Sequence, residues 1–253
     1  MSNVPYVDYA ILNEDRPLDP NQFPGNLSFT RDLEIQFTSP VTFFVGENGS
    51  GKSTLLEAMA VLSRLPISGG GLNESEANYA YAEKSLLANS MNLAFKKQPK
   101  DRYFFRAENQ TYFASLLDDR RRDPGFGGDP YSRYGGKSLH LMSHGEAFLS
   151  IMQNRFDRGL YFLDEPESAL SPQRQLTLLA QIYDLVTERE CQFFIATHSP
   201  ILLTYPDSTI YSFDSGFLDT IQLEDTSHFQ ITSGILANPK MYWKHLAQPP
   251  ESK

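Results

Sequence analysis

The chain has 253 residues, 40% hydrophobic and 21% charged, with a formal net charge of −9 and one cysteine, Cys191. This is the composition of an ordinary globular chain with room for one sizeable core, and a lone cysteine excludes an intrachain disulfide. No run approaches the roughly 18 apolar residues of a membrane helix, and the opening residues lack a basic leader and an apolar signal core, so the expected compartment is cytoplasmic and any membrane contact would run through a partner. The acidic balance argues against an extended duplex-binding surface, because nonspecific DNA affinity comes mostly from Lys and Arg on phosphates.

In chain order, residues 33–37 (LEIQF) alternate as a half-buried strand does, Ser39-Pro40 marks a turn, and residues 41–45 (VTFFV) form a continuous apolar run suited to a buried central strand. Gly46-Glu47-Asn48-Gly49-Ser50-Gly51-Lys52-Ser53 then fits the phosphate-loop pattern G-x-x-x-x-G-K-[ST], with a helix predicted from about Ser53. Its glycines let successive N–H groups converge on anionic oxygens, and the helix N-terminus adds its dipole. Lys52 can reach β- and γ-phosphates, and the Ser53 hydroxyl can ligate Mg²⁺.

Residues 65–95 read as a Gly-rich turn followed by a helix, and residues 102–119 as a strand or helix entry followed by a short helix. Residues 118–137 interleave Arg120, Arg121, Arg122, Arg133 and Lys137 with Tyr131 and Tyr134, the best local candidate for nucleic acid. The plainer reading is a solvated loop whose arginines pair with Asp118, Asp119 and Asp123.

The last hundred residues alternate strand and helix. Residues 159–166 (GLYFLDEP) place two acids at a strand end, Asp164 to hold Mg²⁺ and Glu165 to orient or deprotonate an attacking water. Ser171 and Pro172 start a helix with Leu176, Leu179, Tyr183 and Val186 at apolar spacing. Residues 191–200 (CQFFIATHSP) form another buried strand, Ser199-Pro200 opens a short helix, residues 209–224 form a hairpin turning at 214–216, and residues 238–247 form a terminal helix. Apolar strands between helices imply a mainly parallel sheet covered on both faces.

Taken in order, Gly46 to Thr54, Met142-Ser143-His144-Gly145-Glu146, FLDEPESAL and FIATHSP resemble the ATP-binding-cassette (ABC) ATPase superfamily over about 155 residues, and within it the small soluble, RecF/SMC-like ATPases more than the transporter subunits. The resemblance implies an α/β P-loop NTPase fold with antiparallel elements near the N-terminus and a small helical subdomain. It implies one domain over 1–253, with a nucleotide-binding core at 1–63 and 158–253 and a helical, signature-bearing part at about 64–157.

It also implies ATP and Mg²⁺ as cofactors, with Glu47, Asn48, Gly49, Ser50, Gly51, Lys52, Ser53 and Thr54 on the nucleotide and Ser53 and Asp164 on the metal. Glu165 is then the catalytic base and His198 the γ-phosphate contact, while Ser143 and Gly145 reach ATP held by a second copy in a head-to-tail homodimer. His144 and Glu146 depart from the family's glycine and glutamine, and Ser143 with Glu146 also spells a helix capping box. Ser171 stands where the family has an aspartate. For the family's metal- and water-contacting glutamine the candidates are Glu108, preferred, and Gln110, and no adenine-stacking residue stands out among Tyr6, Tyr9 and Phe29. The implied activity is an ATP-gated dimeric switch, with DNA or a protein effector as its object in genome maintenance or defence. The alternatives are a transporter's ATPase subunit and a slowly hydrolysing, nucleotide-sensing assembly module.

Overall fold

The computed structural model describes residues 5–72 and 85–247. The earlier part of the helix expected within 65–95 falls on residues 73–84, outside the described residues. The strands are β1 (Val7–Leu12), β2 (Glu34–Gln36), β3 (Val41–Val45), β4 (Gly70–Gly71), β5 (Met91–Phe95), β6 (Asp101–Arg106), β7 (Gly159–Asp164), β8 (Gln192–Ala196), β9 (Thr209–Ser212) and β10 (Asp219–Ile221). The helices are α1 (Lys52–Leu62), α2 (Leu86–Asn89), α3 (Gln110–Arg122), α4 (His144–Arg155), α5 (Pro172–Arg189), α6 (Ser227–Ala237) and α7 (Pro239–Leu246).

Seven strands form the larger sheet in the order β10-β9-β3-β8-β7-β6-β4, with β9, β3, β8, β7 and β6 mutually parallel and β10 and β4 antiparallel at the edges. The central strands are apolar throughout because both faces are covered. Phe43, Leu163 and Ile195 point into a core shared with α3, α4 and α5, while Phe44, Phe162 and Phe194 point into a second core under α1 and the smaller sheet. That smaller sheet is antiparallel, in the order β2-β1-β5.

Gln192, fully buried at the start of β8, joins the two sheets. Its Oε1 accepts from the N–H groups of Tyr6 and Val7 at 3.1 and 2.8 Å, and its Nε2 donates to the Val7 carbonyl at 3.0 Å.

Three expectations need correction. Residues 91–95 are not helical: the alternation Met91, Leu93, Phe95 is a strand's, and it pairs with β1 through Ala10↔Leu93, so that among the described residues of this stretch the helix is the four-residue α2. In α5 the side chains that reach the core are Leu178, Ile182 and Leu185, whereas Leu176 and Tyr183 are exposed and Leu179 and Val186 flank the core. After Ser199-Pro200 the backbone makes one 3-10 turn over Leu202–Thr204.

Candidate nucleotide site

The register of the large sheet aligns four strand ends. Phe44 of β3 lies opposite Ala196 of β8, Ala196 opposite Asp164 of β7, and Asp164 opposite Arg106 of β6. The residues leaving these ends, Gly46 onward, Thr197-His198, Glu165 and Ala107 onward, therefore open along one edge of the sheet, where parallel α/β folds carry their ligands.

The loop from Gly46 to Gly51 joins β3 to α1. Gly51 is the α1 N-cap at φ 103°, a left-handed conformation, and a Cβ there would lie 2.4 Å from the Phe29 ring. Phe29, at 2% exposure, is thus packed beneath the loop and not available to stack on a base; Tyr6 is equally buried and only Tyr9 is exposed. Lys52 is 4% exposed, and its ammonium donates to the carbonyls of Gly46 and Glu47 at 2.7 and 2.9 Å. Burial lowers its pKa against the pull of Glu165, Asp214 and Asp164. The Ser50 hydroxyl is buried without a hydrogen-bond partner. A buried ammonium, an unpartnered hydroxyl and a helix N-terminus at one loop suit a polyphosphate.

The Ser53 hydroxyl donates to Asp164 Oδ1 at 2.9 Å. Burial pushes the Asp164 carboxyl up to about 6, opposed by Arg106 and by the Ser53 bond. A desolvated carboxylate beside a hydroxyl is a donor pair that a hard cation such as Mg²⁺ suits.

Glu165 follows in the left-handed region, φ 47°, with its N–H on the Ala196 carbonyl at 2.9 Å and its Oε1 3.7 Å from His198 Nε2. A non-glycine residue in that region costs on the order of 1–3 kcal/mol, and neighbouring bonds sustain it here. The backbone N–H of His198 donates to Glu167 Oε1 at 2.6 Å. Burial lowers the His198 pKa, with Lys52 and His228 acting in the same direction.

The two glutamine-equivalent candidates separate. Glu108 is exposed on the 3-10 turn after β6 and pairs with Arg106 at 2.5 Å, whereas Gln110 is buried and donates to the His144 carbonyl at 2.6 Å. Arg106, which sequence reasoning missed, also pairs with Glu57 at 2.9 Å and lies 3.6 Å from Asp164. Asp214, likewise missed, accepts from the Glu47 N–H at 2.8 Å. Neither carries a local motif: Asp214 reaches the loop from just past β9, and Arg106 reaches Asp164 and α1 from the end of β6.

Ser143 caps α4 in the expected capping box: Glu146 N–H donates to its hydroxyl at 3.4 Å and its own N–H donates to Glu146 Oε2 at 2.9 Å. Both side chains are exposed. Gly145 is buried, and a Cβ there would lie 2.5 Å from the Ala169 carbonyl, so close packing on the turn after β7 requires the glycine. In the Arg-rich loop, Tyr131 and Tyr134 are core residues, Arg122 pairs with Asp119 at 3.3 Å, and the Arg120 and Arg121 guanidinium groups sit over Phe126 and Tyr131. Those two tyrosines therefore do not interleave with the arginines on the surface of this candidate nucleic-acid patch. Among the described residues no helix is long and apolar enough to cross a membrane.

The family description "AAA domain" matches residues 25–117, and a second AAA-domain description, which adds AbiEii toxin, Type IV TA system, matches residues 81–204. The cobalt import ATP-binding proteins CbiO of Salmonella paratyphi A and Salmonella typhi are each 26% identical over 202 residues, 74% of this chain and 72% of theirs. Among solved structures, MJ1267, an ATP-binding cassette of an ABC transporter, matches in fold with a TM-score of 0.53 at 14% identity, over 95% of this chain and 98% of that one. Two AAA-domain descriptions thus match this chain, and its mostly parallel sheet has the fold of an ATP-binding cassette.

Proposed function

We propose that the chain binds Mg·ATP on residues 47–54 and hydrolyses it, and that a head-to-tail pair of copies closes on ATP and opens after hydrolysis. The observation that carries this reading is the strand register that gathers Lys52, Ser53, Asp164, Glu165 and His198 at one sheet edge. The loop N–H groups and Lys52 take the phosphate charge, and Ser53 and Asp164 hold the cation. Bound Mg²⁺ would neutralise charge on the phosphate oxygens. Glu165 accepts the proton of the attacking water, and the His198 ring faces the same space. Glu108 would reach the cation only by leaving Arg106. Ser143 and the first turn of α4 present an exposed N-terminal edge suited to the ATP of a facing copy. The core at 1–63 and 158–253 and the signature-bearing part at 64–157 then act as one unit, although β5 and β6 place sheet structure within the latter.

The object of the switch is a protein effector or DNA. A second reading, the ATPase subunit of a transporter, is favoured by the CbiO relatives, whose name describes cobalt import. Membrane co-fractionation dependent on a partner would decide for it.

The defining experiment is Glu165→Gln. It removes the proton acceptor and keeps the shape, so ATP affinity is expected to stay within about threefold while phosphate release falls by roughly 100-fold or more. Unchanged turnover would overturn Glu165 as base, and absence of ATP binding by the unaltered protein would overturn the nucleotide site.

A further inference from the structure

The imidazoles of His198, just past β8, and His228, in the first turn of α6, face one another. His198 Nδ1 lies 2.9 Å from His228 Nε2, with ring centroids 5.0 Å apart and planes at 59°. The outer nitrogens, His198 Nε2 and His228 Nδ1, are buried and have no hydrogen-bond partner. His228 is held in place by the cap of its helix: the Thr226 hydroxyl, on a residue only 1% exposed, accepts from the Phe229 N–H at 3.2 Å and donates to the Leu223 carbonyl at 2.7 Å.

Two neutral rings that share one hydrogen bond have two arrangements. Either His228 Nε2–H donates and His198 keeps its hydrogen on Nε2, or His198 Nδ1–H donates and Nε2 presents a lone pair. Glu165 Oε1 stands 3.7 Å from that Nε2. A lone pair against a carboxylate is repulsive and an N–H is attracted, so the first arrangement is favoured. It is also the one that offers a phosphate oxygen a donor. Burial and the nearby Lys52 lower the His198 pKa and so disfavour the doubly protonated ring.

We propose that His228 is a positioning residue that fixes His198 as the Nε2–H tautomer, aiming its one donor at the space beside Glu165. The proposal rests on the reading of that space as the γ-phosphate position. It also ties the phosphate end of β8 to the α6–α7 hairpin, which contributes no residue to either core cluster. A rotation of α6 would then reach His198 directly.

Long-range ¹H–¹⁵N correlation of the full chain labelled at histidine, with His198 assigned from its loss in His198→Gln, reads the tautomer without any turnover. The unaltered protein is expected to carry the His198 hydrogen on Nε2. His228→Gln, which places an amide N–H where the ring Nε2 lies, keeps it there; His228→Leu gives a mixture; His228→Glu, which can only accept, moves it to Nδ1. In parallel, kcat is expected to fall roughly 10- to 100-fold in the Leu and Glu variants and to recover in the Gln variant, with ATP affinity within about threefold throughout. A hydrogen on Nδ1 in the unaltered protein, or an unchanged His198 tautomer in folded His228→Glu, would overturn the proposal. If the spectra follow expectation in a protein that does not bind or hydrolyse ATP, the tautomer assignment stands and the phosphate reading is what fails.

Discussion

The Arg174 guanidinium donates to the Ser143 hydroxyl at 3.0 Å and to Glu146 Oε1 at 3.1 Å, so the first turn of α5 grips the first turn of α4. The capping Ser143 N–H, with Arg174 assisting, holds the Glu146 carboxyl below its ordinary range. The N-terminal edge of α4 is therefore held from within the chain, beside the turn that follows Asp164 and Glu165.

A rigid edge makes a sharp test of the head-to-tail pair. With Mg·ATP saturating, Glu165→Gln is expected to run as a dimer by size exclusion with light scattering. Adding Ser143→Arg, which projects a long side chain from that edge, is expected to return it to a monomer that binds ATP with unchanged affinity. A monomer before the second substitution, or a dimer after it, would refute the arrangement for the isolated chain.

Lys52→Ala removes the buried ammonium that lies across the loop. A charge-assisted contact of this kind is worth about 2–3 kcal/mol, so ATP affinity by calorimetry is expected to fall roughly 30- to 150-fold or further while circular dichroism stays unchanged. An affinity matching that of the unaltered protein would remove the phosphate-loop reading.

Asp164 supplies a pH signature. Its folded pKa, about 6, lies above the ordinary aspartate value, so between those values the native state binds more protons than the unfolded chain. Nucleotide-free stability therefore falls from this group as pH rises through that window, and the loss is complete above about 6. Asp164→Asn is expected to gain on the order of 1–2 kcal/mol over the unaltered protein at pH 7, measured by urea unfolding, and the gain is expected to vanish near pH 4. A difference that does not vary with pH would show that burial does not govern this carboxyl.

Gly51→Ala meets both a left-handed backbone and the Phe29 ring, at a combined cost of roughly 2–4 kcal/mol. Adding Phe29→Leu is expected to relieve only the steric part. Full recovery would mean that the φ of 103° imposes nothing.

The parts of the site that were legible in the sequence are those that chain proximity creates. Residues 46–51 must sit between β3 and α1, with 52–54 opening the helix, and Asp164 and Glu165 must sit at the end of an apolar strand. Arg106, Asp214, Arg174 and His228 act across the fold, from elements whose adjacency follows from strand order and helix packing and leaves no spacing to read. Two surface-pattern errors have local causes. In α5, Leu176 and Tyr183 stay outside while Leu178 and Ile182 face the sheet, because a helix with apolar residues around much of its circumference does not announce which stripe is buried. In residues 91–95, a period-two pattern only five residues long was outweighed by the helical signal of the segment before it.

Gln192 sets the order of events during synthesis. Its amide grips Tyr6 and Val7 across 185 or more positions of chain. At about 5–20 residues per second on a ribosome, β1 waits on the order of ten seconds or more for that amide to be made. Until then the first strand has β2 and β5 as companions and the core it shares with Phe44 and α1, but not the amide bonds that tie it to β8. The phosphate loop lies on β3, one strand over from β8, and remains an incomplete scaffold for the same interval. The strands on both sides of β3, β8 and β9, are thus complete only once residues near 210 have been made.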